Sequence, residues 1–142
     1  MSNITSTASA TVVAQEQHFT NLTPEEASVI EGGYTLNVYS LVCAADGADP
    51  WYKGKDDVYA KVTLDGITTN YGVGDMGTGD AKNLLWEFNF FENAEISFFD
   101  SDWPDSDDPL GSISVSGLTN GLQKPTIRGS GSRYKVFYDV TA

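Results

Sequence analysis

Apolar and polar side chains alternate with a period of two along most of the chain after residue 33. In the segments that begin near Tyr34, Val58 and Trp86, every second residue is apolar and its neighbours are mainly polar. Weaker alternation covers residues 67–73, 94–99, 111–116 and 133–140. A period of two is typical of β-strands that bury one face. The pattern therefore predicts seven or eight short strands.

The connections between these segments favour an antiparallel arrangement. Asp65-Gly66 and Asn93 are turn signals. Residues 72–83 and 117–131 show no period and are expected to be loops, with one short edge strand near Thr126. We predict an all-β fold, an antiparallel eight-stranded β-sandwich over residues 34–142, with Trp86 in its core.

The first 33 residues follow a different pattern. Residues 1–20 are rich in Ser, Thr, Ala and Asn and lack a sustained hydrophobic period, which indicates disorder. A short helix is predicted next, because Thr23 can cap it and Pro24 suits its first turn. Gly32 and Gly33 would end that helix. Residues 1–33 are therefore interpreted as a leader and residues 34–142 as the folded domain.

The leader carries a set of small, acidic and aliphatic residues at fixed distances before residue 33, namely Leu22, Thr23, Glu26, Ala27, Ile30, Gly32 and Gly33. This set resembles the double-glycine leader of bacterial proteins exported by ABC transporters that carry a cysteine peptidase domain. The resemblance implies that the exporter recognises Leu22, Glu26 and Ile30. It also implies cleavage after Gly33 and a secreted, extracellular bacterial protein. The alternative is an ordinary helix with a glycine cap.

The charged and reactive residues exclude several classes of function. The net charge is −12, and the eight Lys and Arg residues are scattered along the sequence, so a nucleic-acid partner is not expected. The only histidine is His18 and the only cysteine is Cys43, which removes most routes to nucleophilic catalysis or zinc binding. Cys43 is expected to be buried in a strand. No apolar run approaches the roughly 20 residues of a membrane span.

The most unusual stretch is the acidic one from residue 100 to residue 108, where five of the nine residues are aspartates. Like charges at contact distance repel by about 1 kcal/mol per pair in water, and by more in a drier site. Carboxylate oxygens are hard ligands that suit calcium or magnesium. The stretch therefore indicates a cation site, and the alternative is a solvated acidic loop.

Three motifs around this stretch have distinctive spacings. Asp-x-Asp is followed by an acidic residue six places later and a glycine three further on, at Asp100, Asp102, Asp108 and Gly111. Residues 57–62 read Asp-Val-Tyr-Ala-Lys-Val, and residues 86–90 read Trp-Glu-Phe-Asn-Phe. Together they resemble the C-two (C2) domain, the calcium-dependent phospholipid-binding module of protein kinase C and synaptotagmins. Val58 stands where that family has proline, and the third motif is one residue shorter.

The resemblance implies a calcium site and a contact surface. The implied metal ligands are Asp57, Asp100, Asp102 and Asp108, completed by Asp49 or Asp46, because Trp51 stands at the family's usual upstream ligand position. Asp105 and Asp107 are interpreted as solvated or outer-shell residues and not as direct ligands. Trp51, Tyr52 and Trp103 lie in the same loops and are expected to contact a membrane or another ligand.

These expectations describe a secreted calcium-binding module that is not an enzyme. Its partners would be calcium-bridged lipid headgroups or an acidic surface ligand, besides the exporter that recognises the leader. The alternative function is a bacteriocin-like or surface-assembly structural protein that calcium stabilises. A glycosidase would use two carboxylates on opposed walls, and a single acidic loop does not provide that arrangement.

Overall fold

The computed structural model describes residues 33–47, 54–102 and 104–142, and Tyr34–Thr141 form one compact unit. Eight strands occur within these ranges: β1 (Tyr34–Ala45), β2 (Asp56–Leu64), β3 (Ile67–Met76), β4 (Ala81–Phe90), β5 (Ala94–Asp100), β6 (Asp108–Val115), β7 (Thr126–Gly129) and β8 (Ser132–Thr141). Within the described ranges, no helix is long and apolar enough to cross a membrane. The all-β prediction is confirmed.

The strands form two four-stranded antiparallel sheets. The first sheet has the order β4-β1-β8-β7, and the second has the order β3-β2-β5-β6. Three hairpins, β2–β3, β5–β6 and β7–β8, pair strands that follow one another in the chain. The chain passes between the sheets after β1, β3, β4 and β6. This is the eight-stranded antiparallel sandwich that the sequence predicts.

The core lies between the sheets and is built from the alternate residues of the central strands. In β2 the burial pattern alternates strictly from Asp56 to Val62, and in β8 it alternates from Ser132 to Val140. Cys43 is buried, as expected. The largest fully buried side chains are Tyr134, Phe90, Phe98, Leu36, Leu41, Met76, Ile96 and Leu110. Burial of such apolar surface is the main driving force for folding.

The prediction of a loop over residues 72–83 is wrong. β3 continues to Met76 and β4 begins at Ala81, so only residues 77–80 connect the two strands. Both strands are edges of their sheets and face solvent over much of their length, which weakens the hydrophobic alternation. Trp86 is half-buried and packs against the margin of the core rather than inside it. The short edge strand predicted near Thr126 is β7.

One end of the sandwich collects most of the aspartates. We call it the acidic end, defined by the end of β1, the start of β2, the 77–80 connection, the 101–107 loop and the β7–β8 turn. The antiparallel register places these segments at the same end of the strands in each sheet. The described aspartates there are Asp46, Asp56, Asp57, Asp75, Asp80, Asp100, Asp102, Asp105, Asp107 and Asp108.

Candidate functional site

Asp57 and Asp100 are joined directly at the acidic end. The amide N–H of Asp57 donates a hydrogen bond of 2.6 Å to Oδ1 of Asp100, and the amide of Ser101 donates one of 2.8 Å to the carbonyl oxygen of Asp57. The register explains the contact, because Val58 of β2 lies opposite Asp100 of β5. Asp100 is fully buried, whereas Asp57 is exposed. Two of the predicted ligand residues are therefore brought together by the strand ends.

Asp108 lies across from Asp100 in the neighbouring strand. The two are register partners that close the ladder of β5 and β6, so the 101–107 loop leaves and enters the sheet at this pair. Antiparallel partners have Cα atoms about 4.5–5.5 Å apart. The acidic stretch thus forms a loop that aspartates flank at both strand ends.

Asp107, predicted to be solvated or outer-shell, also makes two hydrogen bonds within the protein. Its Oδ1 accepts a 3.2 Å hydrogen bond from the amide of Asp102, and its Oδ2 accepts a hydrogen bond from the hydroxyl of Tyr59. The Tyr59 hydrogen bond and the Asp102 amide lower the pKa of the Asp107 carboxyl below its usual value. Asp107 therefore closes the loop that carries Asp102.

Tyr59 lies on the outer face of the second sheet, where Phe99 holds its ring in position for this hydrogen bond. Its ring stacks on Phe99 with centroids 5.5 Å apart and an interplanar angle of 22°. Lys61 Nζ lies 5.2 Å from the centroid of the same Phe99 ring, which adds a cation–π contact. Burial, together with the bond to Asp107, raises the pKa of Tyr59 to about 12. The phenol is thus protonated, and able to donate, across the neutral range.

Sequence reasoning missed a buried polar network centred on Asp56. Oδ2 of Asp56 accepts hydrogen bonds from Ser132 Oγ at 3.0 Å and from the Tyr134 hydroxyl at 2.6 Å. Ser132 Oγ in turn accepts a 2.8 Å bond from the amide of Gly47. Burial and the bond to Asp56 raise the pKa of Tyr134. The network joins both sheets at the acidic end. The sequence contains a signal for it, because Asp56 lies two residues before Val58 and its side chain therefore points to the same buried face of β2.

The connection between β3 and β4 is tied to the same end. Lys55 Nζ forms a 3.0 Å ion pair with Oδ2 of Asp80, which also accepts a 2.9 Å bond from the amide of Gly77. The Gly77 amide and Lys55 lower the pKa of the Asp80 carboxyl. The hydroxyl of Thr78 donates to Asp46 Oδ1, and the amide of Asp46 donates to Thr78 Oγ1 at 3.2 Å. Asp46, one of the two candidates for the upstream ligand, is therefore engaged with this connection.

Several predicted site residues lie outside the described residues. Asp49, the contact residues Trp51, Tyr52 and Trp103, and the leader residues Leu22, Glu26, Ile30 and Gly32 are among them. Gly33 is described, with a left-handed φ of 78° immediately before β1, a conformation that suits glycine. For the residues outside the described ranges, the roles in metal binding, surface contact and leader recognition stay predictions.

The donor chemistry of the acidic end fits a hard cation, because its side-chain oxygen donors are mainly carboxylates. Within the ranges that the structure describes, however, no group of three or more His, Cys, Asp or Glu side chains has the arrangement of a metal site. Asp57 also faces Asp75 of β3 in the register, which adds a carboxylate that sequence reasoning did not include. The fold thus places three of the predicted ligand residues, Asp57, Asp100 and Asp108, at neighbouring strand ends.

Comparison with known proteins gives a likeness to C2 domains. No protein-family model and no curated protein matches the chain. One solved C2 domain is 18% identical over 77% of this chain and 99% of its own length, with a TM-score of 0.47. A C2 domain of plant extended synaptotagmin 1 is 12% identical over 75% of this chain and 90% of its own, with a TM-score of 0.49.

Human GIVD cytosolic phospholipase A2 is also similar, at 17% identity over 75% of this chain and a TM-score of 0.47, and the chain spans 16% of that enzyme. At these identities and TM-scores the likeness carries no functional argument. The function of the chain is therefore inferred from its own residues.

Proposed function

We propose that residues 34–142 form a calcium-binding module that attaches to an anionic lipid surface through its acidic end. The observation that carries the proposal is the hydrogen bond from the Asp57 amide to the Asp100 carboxylate. It brings the strand ends that bear Asp57 and Asp100 together, and Asp108 lies in register beside Asp100. The residues that would hold calcium are these three and Asp102, with Asp49 completing the set.

The electrostatics of the acidic end favour a bound cation. Asp57, Asp75, Asp100 and Asp108 occupy consecutive strand ends of the second sheet, where β3, β2, β5 and β6 are neighbours. Carboxylates on neighbouring strand ends repel one another, and a divalent ion would offset that repulsion. Calcium accepts six to eight oxygen ligands in flexible geometry, which suits side chains that come from several segments.

A lipid surface is the partner that this charge arrangement favours once calcium is bound. Without the ion the acidic end repels anionic headgroups, whereas calcium can coordinate both protein carboxylates and lipid phosphate. Trp51, Tyr52 and Trp103 would then enter the headgroup layer, where aromatic rings are favourable. Calcium affinity in the range of extracellular modules, on the order of 10⁻⁴ to 10⁻³ M, would suit a secreted protein.

Secretion is the remaining part of the proposal. The set of residues from Leu22 to Gly33 supports recognition by a peptidase-containing ABC exporter and cleavage after Gly33. Intact mass of the chain secreted by a bacterium that expresses such an exporter tests this: a species beginning at Tyr34 supports the leader. A secreted species that retains residues 1–33, or a Gly32→Val variant that is cleaved as well as the wild type, contradicts it.

Calcium binding is tested by thermal unfolding of the full chain with and without millimolar calcium. A ligand present at about ten times its Kd stabilises by about 1.4 kcal/mol, so the melting temperature should rise by several degrees. The double variant Asp102→Asn/Asp108→Asn should lose this rise. The matched control Asp105→Asn/Glu95→Gln removes two charges from exposed positions and should keep it. A wild-type melting temperature that calcium does not change contradicts the proposal.

Lipid attachment is tested by co-sedimentation with phosphatidylcholine vesicles that contain phosphatidylserine. The full chain should sediment with them in calcium, and a chelator should release most of it. If calcium raises the melting temperature and the chain nevertheless stays in the supernatant, the structural alternative, a surface-assembly protein that calcium stabilises, is favoured instead.

A further inference from the structure

The β7–β8 hairpin places two arginines side by side on the outer face of the first sheet. Arg128 and Arg133 are register partners, and the turn between their strands is the two-residue loop Ser130-Gly131, with left-handed φ values of 52° and 85°. The neighbouring pair Ile127 and Tyr134 is buried, so Arg128 and Arg133 point away from the core, and both are exposed. Directly opposite residues in antiparallel strands have Cβ atoms about 4.5–5.5 Å apart.

Such a pair of like charges destabilises a hairpin unless an anion lies near it. Among the described residues neither guanidinium forms an ion pair or a side-chain hydrogen bond. Lys135 is exposed on β8 two residues after Arg133 and lies in register with Thr126. The sequence has eight Lys and Arg residues against a net charge of −12, and the fold gathers three of them here. The basic residues that are scattered along the sequence thus form a local positive patch.

The residues beside the arginine pair contact the backbone of β6 at the acidic end. Ser130 Oγ donates a 2.9 Å hydrogen bond to the carbonyl oxygen of Pro109, the residue that follows Asp108. Gly129 lies so close to the backbone of Pro109 and Leu110 that a side chain at 129 would collide with it. The hairpin is therefore packed against the first residues of β6, next to a proposed calcium ligand.

From this arrangement we infer a second binding site, in which the guanidinium groups of Arg128 and Arg133 take the phosphate groups of an anionic lipid surface. The inference rests on the proposed function and adds to it a contact that does not require calcium. Guanidinium is planar and always charged, and its fork of N–H donors matches two phosphate oxygens. Because the hairpin is anchored beside Asp108, one headgroup layer would meet the bound calcium and the arginines together.

Charge complementarity favours an anionic lipid surface as the ligand of the arginine site. An anionic leaflet attracts basic residues near its surface by about 1 kcal/mol for each Lys or Arg. The remainder of the acidic end repels anions, so the contact gains strength when calcium neutralises the adjoining carboxylates. The arginine site and the calcium site would thus assist each other on the same surface.

The experiment is co-sedimentation of the full chain with phosphatidylcholine vesicles that contain phosphatidylserine, and with pure phosphatidylcholine vesicles, in calcium and in chelator. The double variant Arg128→Ser/Arg133→Ser should bind the mixed vesicles roughly tenfold more weakly than the wild type in calcium. It should also lose the weak binding that the wild type retains in chelator. Its melting temperature should match or exceed the wild-type value, because a like-charge pair has been removed.

Two matched variants isolate the arginine pair from net charge. Arg128→Lys/Arg133→Lys keeps both charges and should keep most of the binding, with the shortfall measuring the contribution of the guanidinium fork. Lys82→Ser/Lys124→Ser removes two charges from other segments and should bind as the wild type does.

The possible failures are distinct. A Ser/Ser variant that binds the mixed vesicles as tightly as the wild type overturns the arginine site and leaves the calcium site standing. The same holds if the Lys82/Lys124 control weakens binding equally, because net charge alone would then explain the effect. A wild type that sediments with no vesicles in either solution overturns the proposed function, and the arginine site with it.

Discussion

The phenol of Tyr59 donates a hydrogen bond to the carboxylate of Asp107, and this contact joins β2 to the loop that carries Asp102. Stacking on Phe99 limits the positions that the Tyr59 ring can take. The loop is therefore held in place by groups that are not themselves proposed calcium ligands. A binding loop that is already ordered loses less conformational entropy when it takes up its ligand.

Tyr59→Phe should consequently weaken calcium binding several-fold, because the loop loses its side-chain hydrogen bond to β2 while every proposed ligand is kept. Isothermal titration with calcium measures the effect. Tyr39→Phe is the matched control, since the Tyr39 hydroxyl also donates to an aspartate, Asp139 at 3.0 Å, but on the outer face of the first sheet. Equal losses of affinity in the two variants would show that the Tyr59 contact has no special part in the loop.

Tyr134→Phe should destabilise the fold without touching a proposed ligand. The substitution removes the 2.6 Å donor to the fully buried Asp56 carboxylate. Loss of a hydrogen bond to a buried polar group costs about 1–3 kcal/mol, which urea unfolding should detect. Tyr138→Phe is the control, because Tyr138 is buried on the same strand and burial alone raises its pKa. If Tyr138→Phe costs as much as Tyr134→Phe, the network around Asp56 contributes little.

Asp65→Asn should lower the melting temperature by several degrees at neutral pH. The Asp65 carboxylate accepts backbone hydrogen bonds from Phe91 at 2.8 Å, Glu92 at 2.7 Å and Asn93 at 3.1 Å, and so joins the β2–β3 turn to the β4–β5 turn. These amides, that of Glu92 foremost, lower the pKa of Asp65 below its ordinary value of 3.8.

Because that pKa is lowered by folding, the stabilisation is fully present above pH 3.8 and is lost as the pH falls through the lower, folded value. The difference in melting temperature between wild type and Asp65→Asn should therefore shrink in that acidic window. Thermal scans across pH measure it, with Glu92→Gln as a control that removes a charge from the same turn. A difference that stays constant into the acidic window would contradict this origin of the stability.

Gly111→Ala should be strongly destabilising. Gly111 has a left-handed φ of 120°, and a Cβ there would lie 2.7 Å from Cβ of Ile127 and 2.9 Å from the amide nitrogen of Arg128. Backbone strain of this kind costs on the order of 1–3 kcal/mol, and the collision with β7 adds to it. Gly121→Ala is the matched control, since Gly121 has a φ of 82° with open space around it. Denaturant unfolding that gives equal losses for the two variants would show that the close approach of β6 and β7 is unimportant.

The period of two predicted the central strands well, because each of them buries one whole face. β2 and β8 alternate without interruption, and their sequences show it. The edge strands β3 and β4 were shortened in the prediction for the opposite reason: residues such as Asn70 and Asn83 face solvent, and glycines interrupt the end of β3. Solvation of both faces removes the contrast on which periodicity depends.

The candidate site was predictable in its composition and only in part in its connections. The spacing of Asp100, Asp102 and Asp108 placed them in one loop, and the structure puts Asp100 and Asp108 in register. The hydrogen bond between Tyr59 and Asp107 depends on which strands are neighbours, and the sequence alone does not show that pairing. The positive patch at Arg128 and Arg133 was missed likewise, because two scattered residues became partners through a hairpin turn.

Asp56 and Asp57 are identical in chemistry and differ only in the side of β2 on which they lie. Asp56 is enclosed between the sheets, where Ser132 and Tyr134 donate hydrogen bonds to it, while Asp57 is exposed and accessible to a cation. Strand geometry turns successive side chains to opposite faces, so one residue inserted between Asp57 and Val58 would turn Asp57 inward and Asp56 outward. The spacing between the two aspartates and Val58 is therefore as strict a requirement for the proposed site as the aspartates themselves.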